Sequence, residues 1–384
     1  METYRDLAGA VGRRQAQMRK MIAELVGAES PTEDRAAVNR CVALVEGWIK
    51  AGGGRSRRGR QKSAGDLLIG QFGPVRKTTK PLMLLGHLDT VWPMGTLRKM
   101  PYRVSRGRAW GPGVLDMKAG VVMALSALRT LHETGQLQRP VIFLLNSDEE
   151  TGSEHSRALT ESLAKKCEAV FVLEPAQGLC GAYKTARKGV GHYRLRVQGV
   201  AAHSGVDFTH GHSAVLELGR QIELASAFTN IARGITVNPG VIGGGTRSNV
   251  VAAEAWAEFD VRIAKTVDAE RVDRRFRSLR PVDRKCRLEI EGGLNRPPME
   301  RTAGTVKLFR RAATLAVGLG FDLQEAATGG GSDGNFTSAL GIPTLDGMGA
   351  IGEGAHADSE SILLDALVPR TALLAAMIGG LSLE

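Results

Sequence analysis

Three short apolar runs, each of the kind found in buried strands, are separated by stretches with helical periodicity. The runs Pro81–Leu85, Val141–Leu145 and Ala169–Leu173 contain no polar residue, and helical patterns over 118–134 and 153–165 lie between them. Parallel strands that are covered by helices on both faces have continuous apolar sequences of this kind. The alternation therefore predicts an α/β domain whose mixed, partly parallel sheet lies between two helical layers.

Further elements extend this pattern towards both ends of the chain. Apolar residues recur at helical spacing over 11–28 and 34–51, with Ser30, Thr32 and Asp34 as candidate caps between the two helices. The remaining predicted elements are a strand at Asp66–Ile69, a helix over 302–319, a strand-like run at Ile342–Leu345 and a closing helix over 364–382. Because 384 residues are too many for one compact core, we expect two domains.

The periodicity changes near residue 188. From Gly191 to Val200 apolar and polar residues alternate, which is typical of a strand with one face in water. The elements that follow are a helix over 211–228, strands over 234–242 and 249–263, a helix over 267–279 and a strand over 285–291. This β-α-β-β-α-β order can form a sheet covered by helices on its own. We therefore predict an α/β domain of residues 1–187 and 299–384, with an inserted α+β domain of residues 188–298.

Composition and cysteine spacing favour a soluble, cytoplasmic protein. The chain is 43% hydrophobic and 24% charged, as in ordinary globular proteins. Its four cysteines show no C-x-x-C spacing, which makes a disulfide framework or a cysteine-based zinc site a poor interpretation. The first residues lack the apolar region of a signal peptide, and no apolar run is long enough for a membrane. Cytoplasmic location is the expectation unless a signal peptide has been removed.

The formal charge of +11 raises the alternative of a nucleic-acid-binding protein. Its strongest local support is the basic run Arg55–Lys62. That run has no aromatic residues for base stacking, and no known nucleic-acid-binding motif surrounds it. We interpret it as a solvated, mobile loop. The positive charge fits attraction of small anionic substrates better than a nucleic-acid partner.

Acidic and imidazole groups follow each of the three apolar runs at the point where it ends. The first run leads into His87 and Asp89, the second into Asp148–Glu150, and the third into Glu174. Ligands bind outside the carboxyl ends of the strands in open α/β sheets, so these groups are expected to converge. Clustered carboxylates stay ionised together only near a cation, which makes a metal site the natural interpretation.

Taken singly, each of these residues has an ordinary structural interpretation. His87 could be a core histidine, Asp89 a turn residue, Asp116 a helix N-cap, and Glu149–Glu150 the exposed start of a helix. Each is the more common case for an isolated residue. The coincidence of all of them at strand ends is what favours a functional site.

The motifs at these strand ends resemble those of the co-catalytic zinc aminoacylase/carboxypeptidase family, and most of all its bacterial glutamate carboxypeptidase type. The resemblance covers nearly the whole chain, in order. The matching segments are Gly86–Val91, Gly111–Lys118, Ser147–Ser153, Leu173–Pro175, Ala202–Gly205, Ser248–Val251 and the late His356. The family also includes succinyl-diaminopimelate desuccinylase, acetylornithine deacetylase and tripeptidases, so the resemblance implies an amide-cleaving metallohydrolase.

The resemblance implies a site for two zinc ions. In it Asp116 bridges the ions, His87 and Glu174 complete the coordination of one ion, and Glu150 and His356 complete the coordination of the other. Mixed nitrogen and oxygen ligands with an open position suit catalytic zinc, although Co²⁺ or Mn²⁺ would also fit carboxylate-rich sites. The family further implies a cis peptide bond between Asp116 and Met117.

The catalytic roles are likewise carried over from the family. Glu149 is expected to take a proton from the attacking water and to pass it to the leaving amine. Asp89 is expected to accept the second N–H of His87 and to fix its tautomer. His203 is expected to stabilise the oxyanion from a neighbouring subunit, which requires a homodimer through residues 188–298. The alternative for His203 is a loop histidine that stabilises a turn with Ser204 and Gly205.

Substrate recognition is expected to rest on groups that bind a carboxylate. Asn249, Arg262, Arg296 and the glycine loop containing Gly330 correspond to such positions in the glutamate carboxypeptidase branch. Arginine suits this task because its planar fork matches a carboxylate. The competing interpretation of Arg262 is an ion pair with Asp260 or Glu258. Arg296 is the stronger candidate because a proline-flanked, irregular segment is expected around it.

The sequence therefore predicts an exopeptidase that releases a C-terminal, glutamate-like amino acid from a small peptide or N-acyl amino acid. An N-acyl amino acid deacylase or a dipeptidase would use the same site. From a different class, a non-catalytic binding protein on this fold is an alternative, but the complete set of ligands argues against it. Glu353 is an additional carboxylate near His356 to which the motifs assign no role.

Overall fold

The computed structural model describes residues 2–75 and 79–380. The chain divides into two compact units. Unit 1 contains the described residues of Met1–Ala186, Arg301–Thr328 and Ser332–Glu384, and unit 2 contains Arg187–Glu300 with Gly329–Gly331. The assignment of Gly329–Gly331 differs from the predicted boundaries. Arg187 of unit 2 contacts this segment, since its Nη1 donates to the carbonyl oxygens of Gly330 and Gly331 at 3.2 and 2.9 Å.

The helices and strands are numbered in chain order. The helices are α1 (Glu2–Gly12), α2 (Gln15–Gly27), α3 (Arg35–Ala51), α4 (Ala119–Glu133), α5 (Arg157–Ala164), α6 (Ala214–Ser226), α7 (Thr266–Ser278), α8 (Ala303–Gly318), α9 (Gly334–Ala339) and α10 (Leu367–Gly380). The first eight strands are β1 (Arg55–Gly59), β2 (Leu67–Phe72), β3 (Leu82–His87), β4 (Arg103–Ser105), β5 (Arg108–Trp110), β6 (Val141–Asn146), β7 (Ala169–Val172) and β8 (Tyr183–Arg187). The others are β9 (Gly189–Gln198), β10 (Thr236–Gly244), β11 (Glu254–Ile263), β12 (Arg287–Arg296), β13 (Glu325–Thr328), β14 (Thr344–Leu345), β15 (Gly352–Glu353) and β16 (Ser361–Leu363).

The main sheet of unit 1 has six strands in the order β1-β2-β6-β3-β7-β14. Strand β3 pairs in parallel with β6 and β7, and β14 pairs in parallel with β7, whereas β1 and β2 are antiparallel to their neighbours. The carboxyl ends of β3, β6 and β7 therefore share one edge of the sheet. The predicted mixed, partly parallel sheet is confirmed.

Alternate residues of this sheet pack into different helical layers. Leu84 and Phe143 join a large core with residues of α1 to α4, α8 and α10. Their neighbours Leu85 and Leu144 join a smaller core on the other face, with Ala164 of α5. Both faces of the sheet are thus covered, which explains why the central strands are apolar throughout.

Unit 2 contains an antiparallel sheet in the order β10-β11-β9-β12. With α6 and α7 it has the predicted β-α-β-β-α-β order. Its core is centred on Phe276 of α7, which stacks on Tyr193 at 3.9 Å and meets Phe228 and Phe259 edge-on. The alternation that predicted β9 arises because one face of the strand packs on this core.

The interpretation of Arg55–Lys62 as a mobile loop is wrong. Residues Arg55–Gly59 form the edge strand β1, antiparallel to β2. Ser56 and Arg58 both bind the carboxylate of Glu46 on α3, while Arg55 and Arg57 point into solvent. Charged side chains protect an edge strand from pairing with other chains, and this accounts for a basic sequence in a strand.

The boundaries of the predicted helices agree with the structure to within a few residues, but α1 and α9 were not predicted, and the predicted helix over 11–28 begins inside α1. Asp34 caps α3, since its Oδ1 accepts from the Ala37 N–H at 2.9 Å, whereas Thr32 binds elsewhere. The predicted closing helix is α10, and residues 381–382 lie outside the described residues. Within residues 2–75 and 79–380, no helix has the length and apolarity needed to cross a bilayer.

Candidate metal centre

The site lies at the shared carboxyl edge of β3, β6 and β7. His87 is the last residue of β3, and its imidazole is almost fully buried. Glu149 and Glu150 form a short helical turn just after β6, and Glu174 follows β7. Parallel pairing with a fixed register is what brings these groups from three distant parts of the sequence to one edge.

Asp116 reaches the same place from the loop between β5 and α4. Gly113 in this loop has φ +70°, and a Cβ atom there would lie 2.6 Å from Cγ2 of Thr90, so the position requires glycine. The Asp116–Met117 peptide bond is cis, in agreement with the expectation from the family. Backbone angles at Asp116 and Met117 are not helical, and α4 begins only at Ala119.

The two oxygens of Asp116 face two different histidines. Its Oδ1 lies 3.2 Å from Nε2 of His87, and its Oδ2 lies 3.3 Å from Nε2 of His356. Each histidine has a further carboxylate beside it: Glu174 Oε1 is 3.6 Å from His87 Nε2, and Glu150 Oε2 is 3.2 Å from His356 Nε2. Asp116 is thus shared between two similar clusters, each with one imidazole and one glutamate.

The ligand atoms of these residues are close enough to share ions. His87, Asp116 and Glu150 have potential ligand atoms within 4.8 Å of one another, and so do His87, Glu149 and Glu174. The structure therefore brings together all five residues predicted as ligands. It also places Glu149 beside them, so proximity alone does not separate the predicted base from the ligands.

The donor set fits a pair of divalent metal ions. Imidazole nitrogens and carboxylate oxygens are the ligands of catalytic zinc sites with open positions. Oε1 of Glu150 is buried and has no hydrogen-bond partner among the described residues. A buried carboxylate oxygen without a partner is costly, and a cation beside it removes that cost.

Asp89 and Thr32 support His87 from the side opposite Asp116. Nδ1 of His87 lies 3.0 Å from the carbonyl oxygen of Asp89 and 3.4 Å from its Oδ1, so its hydrogen bond goes to the backbone of Asp89 and not to the carboxylate that was predicted to accept it. Oδ2 of Asp89 accepts from the Thr32 hydroxyl at 2.8 Å and from the Glu150 N–H at 3.1 Å. With Nδ1 held by Asp89, Nε2 of His87 faces Asp116 and Glu174.

The carboxylates shift the titration of both histidines. Burial lowers the pKa of His87, but its contacts with Asp116, Asp89 and Glu174 outweigh this and hold that pKa well above its ordinary value. Contacts with Asp116 and Glu150 raise the pKa of His356 to about 10. Burial opposes ionisation of Asp116, yet the two imidazoles hold its pKa well below the usual range. Both imidazoles are therefore stabilised in their protonated form relative to a free histidine.

In unit 2, hydrogen bonds bring His203 and Asn249 together. The Ser204 N–H donates to the carbonyl oxygen of Asn249 at 3.0 Å, and both His203 and Asn249 are exposed. Nδ1 of His203 accepts from the Gly205 N–H at 3.2 Å, as the turn-stabilising alternative expected. That bond leaves the proton on Nε2, which makes the exposed nitrogen a hydrogen-bond donor.

The two arginines predicted to bind substrate differ in their surroundings. Arg262 forms a bidentate pair with Asp260 at 2.8 Å for both bonds, so the competing interpretation describes it correctly in this structure. Arg296 is buried and is the last residue of β12, where the pairing register shifts after Leu294. Its side chain packs beside Gly331. Gly330, predicted in the same group, accepts from Arg187 through its carbonyl oxygen.

Several supporting residues were missed by the motifs. Thr32 was predicted only as a candidate cap, and Glu360 was not singled out, although its buried carboxylate accepts from the N–H groups of Leu115 and Asp116. A buried acid four residues after His356 is the signal that could have found it. Glu353, which had no assigned role, is exposed and binds Nη1 of Arg108 at 2.6 Å.

Comparisons with known proteins agree with this geometry. The family model of peptidase family M20/M25/M40 matches residues 83–379. Carboxypeptidase G2 from Pseudomonas sp. (strain RS-16) is 28% identical over 368 residues, which cover 94% of this chain and 88% of that protein. Succinyl-diaminopimelate desuccinylase from Acidovorax ebreus is 26% identical, with 77% of this chain and 79% of that protein covered.

A solved structure from the same family has the same fold. The Bacillus subtilis YXEP protein, described as a dinuclear metal-binding peptidase from the M20 family, superposes with a TM-score of 0.69 at 13% identity. That superposition covers 96% of this chain and 98% of the other. The chain belongs to peptidase family M20/M25/M40 and is a hydrolase of that family.

Proposed function

We propose that the protein is a two-metal exopeptidase that releases a C-terminal, glutamate-like amino acid from a small peptide or an N-acyl amino acid. The observation that carries this proposal is the shared position of Asp116, whose two oxygens lie 3.2 and 3.3 Å from His87 and His356. A carboxylate between two imidazoles, with a glutamate beside each, is the arrangement that two adjacent ions require.

The residues that would hold the ions are His87, Asp116, Glu150, Glu174 and His356. We propose zinc because mixed imidazole and carboxylate ligation suits it, with Co²⁺ or Mn²⁺ as alternatives. Two such ions, when bound, polarise the scissile carbonyl and lower the pKa of water towards the range in which a carboxylate can deprotonate it.

Glu149 is the proposed general base. It takes a proton from the attacking water at its carboxylate and donates that proton to the nitrogen of the leaving amino acid. Support comes from its position on the short turn that also carries Glu150, within 4.8 Å of potential ligand atoms of His87 and Glu174. His203 is the proposed oxyanion donor, because its exposed Nε2 carries the proton.

Arg296 is the proposed binding group for the substrate carboxylate. It is buried, and a buried guanidinium binds a carboxylate strongly because little water competes. Asn249 and the Gly330 backbone are proposed as further contacts. Arg262 contributes only if its pair with Asp260 opens. The net charge of +11 favours an anionic substrate.

We propose a homodimer through residues 188–298, in which His203 acts at the site of the partner. The support is an edge strand, β10, that carries exposed Val241 and Ile242, together with exposed Leu216 on α6. Exposed apolar residues on an edge strand and a neighbouring helix are typical of a subunit interface. In sedimentation, Leu216→Glu should shift the dimer to a monomer, whereas Val317→Glu, an exposed apolar residue in unit 1, should not.

A second candidate reaction is deacylation of an N-acyl amino acid, because a desuccinylase is among the relatives and the same site would serve. A reducing compartment such as the cytoplasm is proposed from the cysteines, all four of which are unpaired. One assay separates the reactions. Purified protein is incubated with N-acyl-glutamates, N-acyl-ornithine and dipeptides, with and without a chelator.

Chelator-sensitive release of glutamate from an N-acyl-glutamate or a glutamate-ending dipeptide, restored by Zn²⁺, supports the proposal. Activity that survives removal of metal would overturn it. Fast turnover of acylated ornithine with little release of glutamate would favour the deacylase.

A further inference from the structure

The carboxylate of Glu360 is fully buried and is surrounded by hydrogen-bond donors. Oε2 accepts from the Gly113 N–H and from Nε1 of Trp92, each at 2.8 Å. Oε1 accepts from the Leu115 N–H at 2.8 Å and from the Asp116 N–H at 3.0 Å. No arginine or lysine among the described residues forms an ion pair with it. The carboxylate is therefore held mainly by N–H groups, as in other buried carboxylates bound by backbone amides, and burial raises its pKa.

Three of these four donors belong to the loop that carries Asp116. Gly113, Leu115 and Asp116 direct their N–H groups to one point, and the left-handed conformation of Gly113 makes this possible. Such a loop lies outside regular secondary structure, so its backbone N–H groups lack partners in a helix or a sheet. Glu360 supplies those partners and determines where the Asp116 backbone lies.

Glu360 is itself held in place on the segment that contains His356. Strand β16 begins at the next residue, Ser361, which pairs with Trp110 of β5. His356 lies four residues before Glu360 and has φ +62°, an uncommon conformation for a residue other than glycine. This segment thus contains the candidate ligand His356 and, four residues later, the carboxylate of Glu360, which binds the loop that carries Asp116.

We propose that Glu360 is a positioning residue for the metal centre: its carboxylate holds the Gly113–Asp116 backbone so that Asp116 faces both histidines. This inference rests on the proposed function, because it assumes that Asp116 and His356 bind metal. Glu360 is fully buried and is not proposed as a ligand or as a group that contacts substrate. It acts through Asp116, in the way that hydrogen-bond partners of metal ligands orient those ligands.

The test compares Glu360→Gln with the wild-type protein and with Glu353→Gln. An amide keeps one acceptor oxygen, while its NH₂ group directs donors towards N–H groups that need an acceptor. Glu353 is a matched control on the same segment, exposed and paired only with Arg108. Affinity for Zn²⁺ is measured by competition with a chromophoric chelator, and the absorption spectrum of the Co²⁺-loaded protein reports the ligand geometry. Thermal melting of each metal-free variant is recorded in parallel.

We expect Glu360→Gln to weaken zinc binding by about 10- to 100-fold, and to change the Co²⁺ spectrum. Glu353→Gln should stay within about twofold of the wild-type affinity, as expected for an exposed ion pair. A folded Glu360→Gln protein with wild-type affinity and spectrum overturns the inference, even if its melting temperature is lower. If that variant does not fold, Glu360→Asp carries the same two outcomes, because it keeps the charge but withdraws the carboxylate from the loop. A wild-type protein that binds no metal contradicts the proposed function instead.

Discussion

The two units place their candidate functional residues in different ways. In unit 1 the metal-centre residues follow buried parallel strands, and their side chains lie within a few ångströms of one another. In unit 2, among the residues proposed for recognition, His203 and Asn249 lie on exposed turns, Arg262 pairs with Asp260, and Arg296 is buried. Sheet topology fixes the positions of the metal-centre residues. The residues proposed for recognition are positioned instead by local hydrogen bonds and ion pairs, which a substrate can replace.

The two sets of residues should therefore respond differently to substitution. A residue of the metal centre has a fixed position that no neighbour can replace. Arg262, a residue proposed for recognition, already forms an ion pair with Asp260. It would contribute to substrate binding only to the extent that this ion pair breaks.

The largest expected effect is that of Glu149→Gln. Removing the base should lower kcat by about 10² to 10⁴-fold, because proton transfer is lost while the ligands stay in place. Metal content and kcat are measured together, and metal content should stay at the wild-type level. Glu154→Gln is the matched control, an exposed glutamate five residues along the same segment, and should leave both unchanged. Loss of metal in Glu149→Gln would make Glu149 a ligand instead of the base.

A smaller effect is expected for the arginines of unit 2, and it separates them. Arg296→Ala should lower kcat/KM by about 10- to 100-fold for a substrate with a free carboxylate, since a hydrogen bond to a charged group contributes about 1.5–3 kcal/mol. Arg262→Ala should change it much less, because Asp260 already occupies its guanidinium. The value of kcat/KM is measured with an N-acyl-glutamate and with the analogue in which the free carboxylate is an amide. Equal losses for both arginines would show that the ion pair with Asp260 does not keep Arg262 from the substrate.

Mixing two inactive variants tests whether His203 acts across subunits. In a hybrid dimer of His203→Ala with Glu149→Gln, one site has both residues intact if His203 comes from the partner. By the symmetry of a two-fold dimer, random mixing should restore about a quarter of the wild-type activity. Activity is measured after joint refolding or coexpression. If His203 acts within its own chain, every site lacks one residue and the mixture stays inactive.

The smallest expected effect is a release of protons when metal binds. Near pH 7.5 the metal-free protein holds a proton on His356, whose pKa of about 10 lies above that pH, and the neighbouring carboxylates raise the pKa of His87 as well. A metal needs the free imidazole nitrogen, so binding displaces these protons and tightens as the pH rises towards 10. Calorimetric titrations in buffers of different ionisation enthalpy count the protons. His356→Gln should release about one proton fewer, and His210→Gln, an exposed histidine of unit 2, should match the wild type.

Much of unit 1 and its metal centre could be predicted from the sequence. The apolar runs ending at His87, Asp148–Glu150 and Glu174 determined both the strands and the edge at which their polar residues meet. Because parallel strands end at the same edge of the sheet, polar residues that follow such strands in the sequence are expected to lie close together. Asp116 was identified through the family resemblance, since its loop has no helical or strand periodicity.

The remaining features depend on contacts that no local pattern records. The strand β1 was missed because its basic residues suggest a loop, and only Glu46 on α3 and pairing with β2 explain them as a strand. Glu360 lies more than two hundred residues from the loop that it holds. The pair between Arg262 and Asp260 was foreseen only as an alternative, because nearby opposite charges in a strand do not reveal whether they meet.

The most direct test of the central claim is the number of ions that each chain binds. Metal-free wild-type protein and Asp116→Asn are equilibrated with Zn²⁺, and bound metal is counted by mass spectrometry after gel filtration. Sharing of Asp116 between two clusters predicts two ions per chain in the wild-type protein, and a loss from both sites in Asp116→Asn because both depend on one carboxylate. Two tightly bound ions in Asp116→Asn, or a single ion in the wild-type protein, would contradict a centre built around that residue.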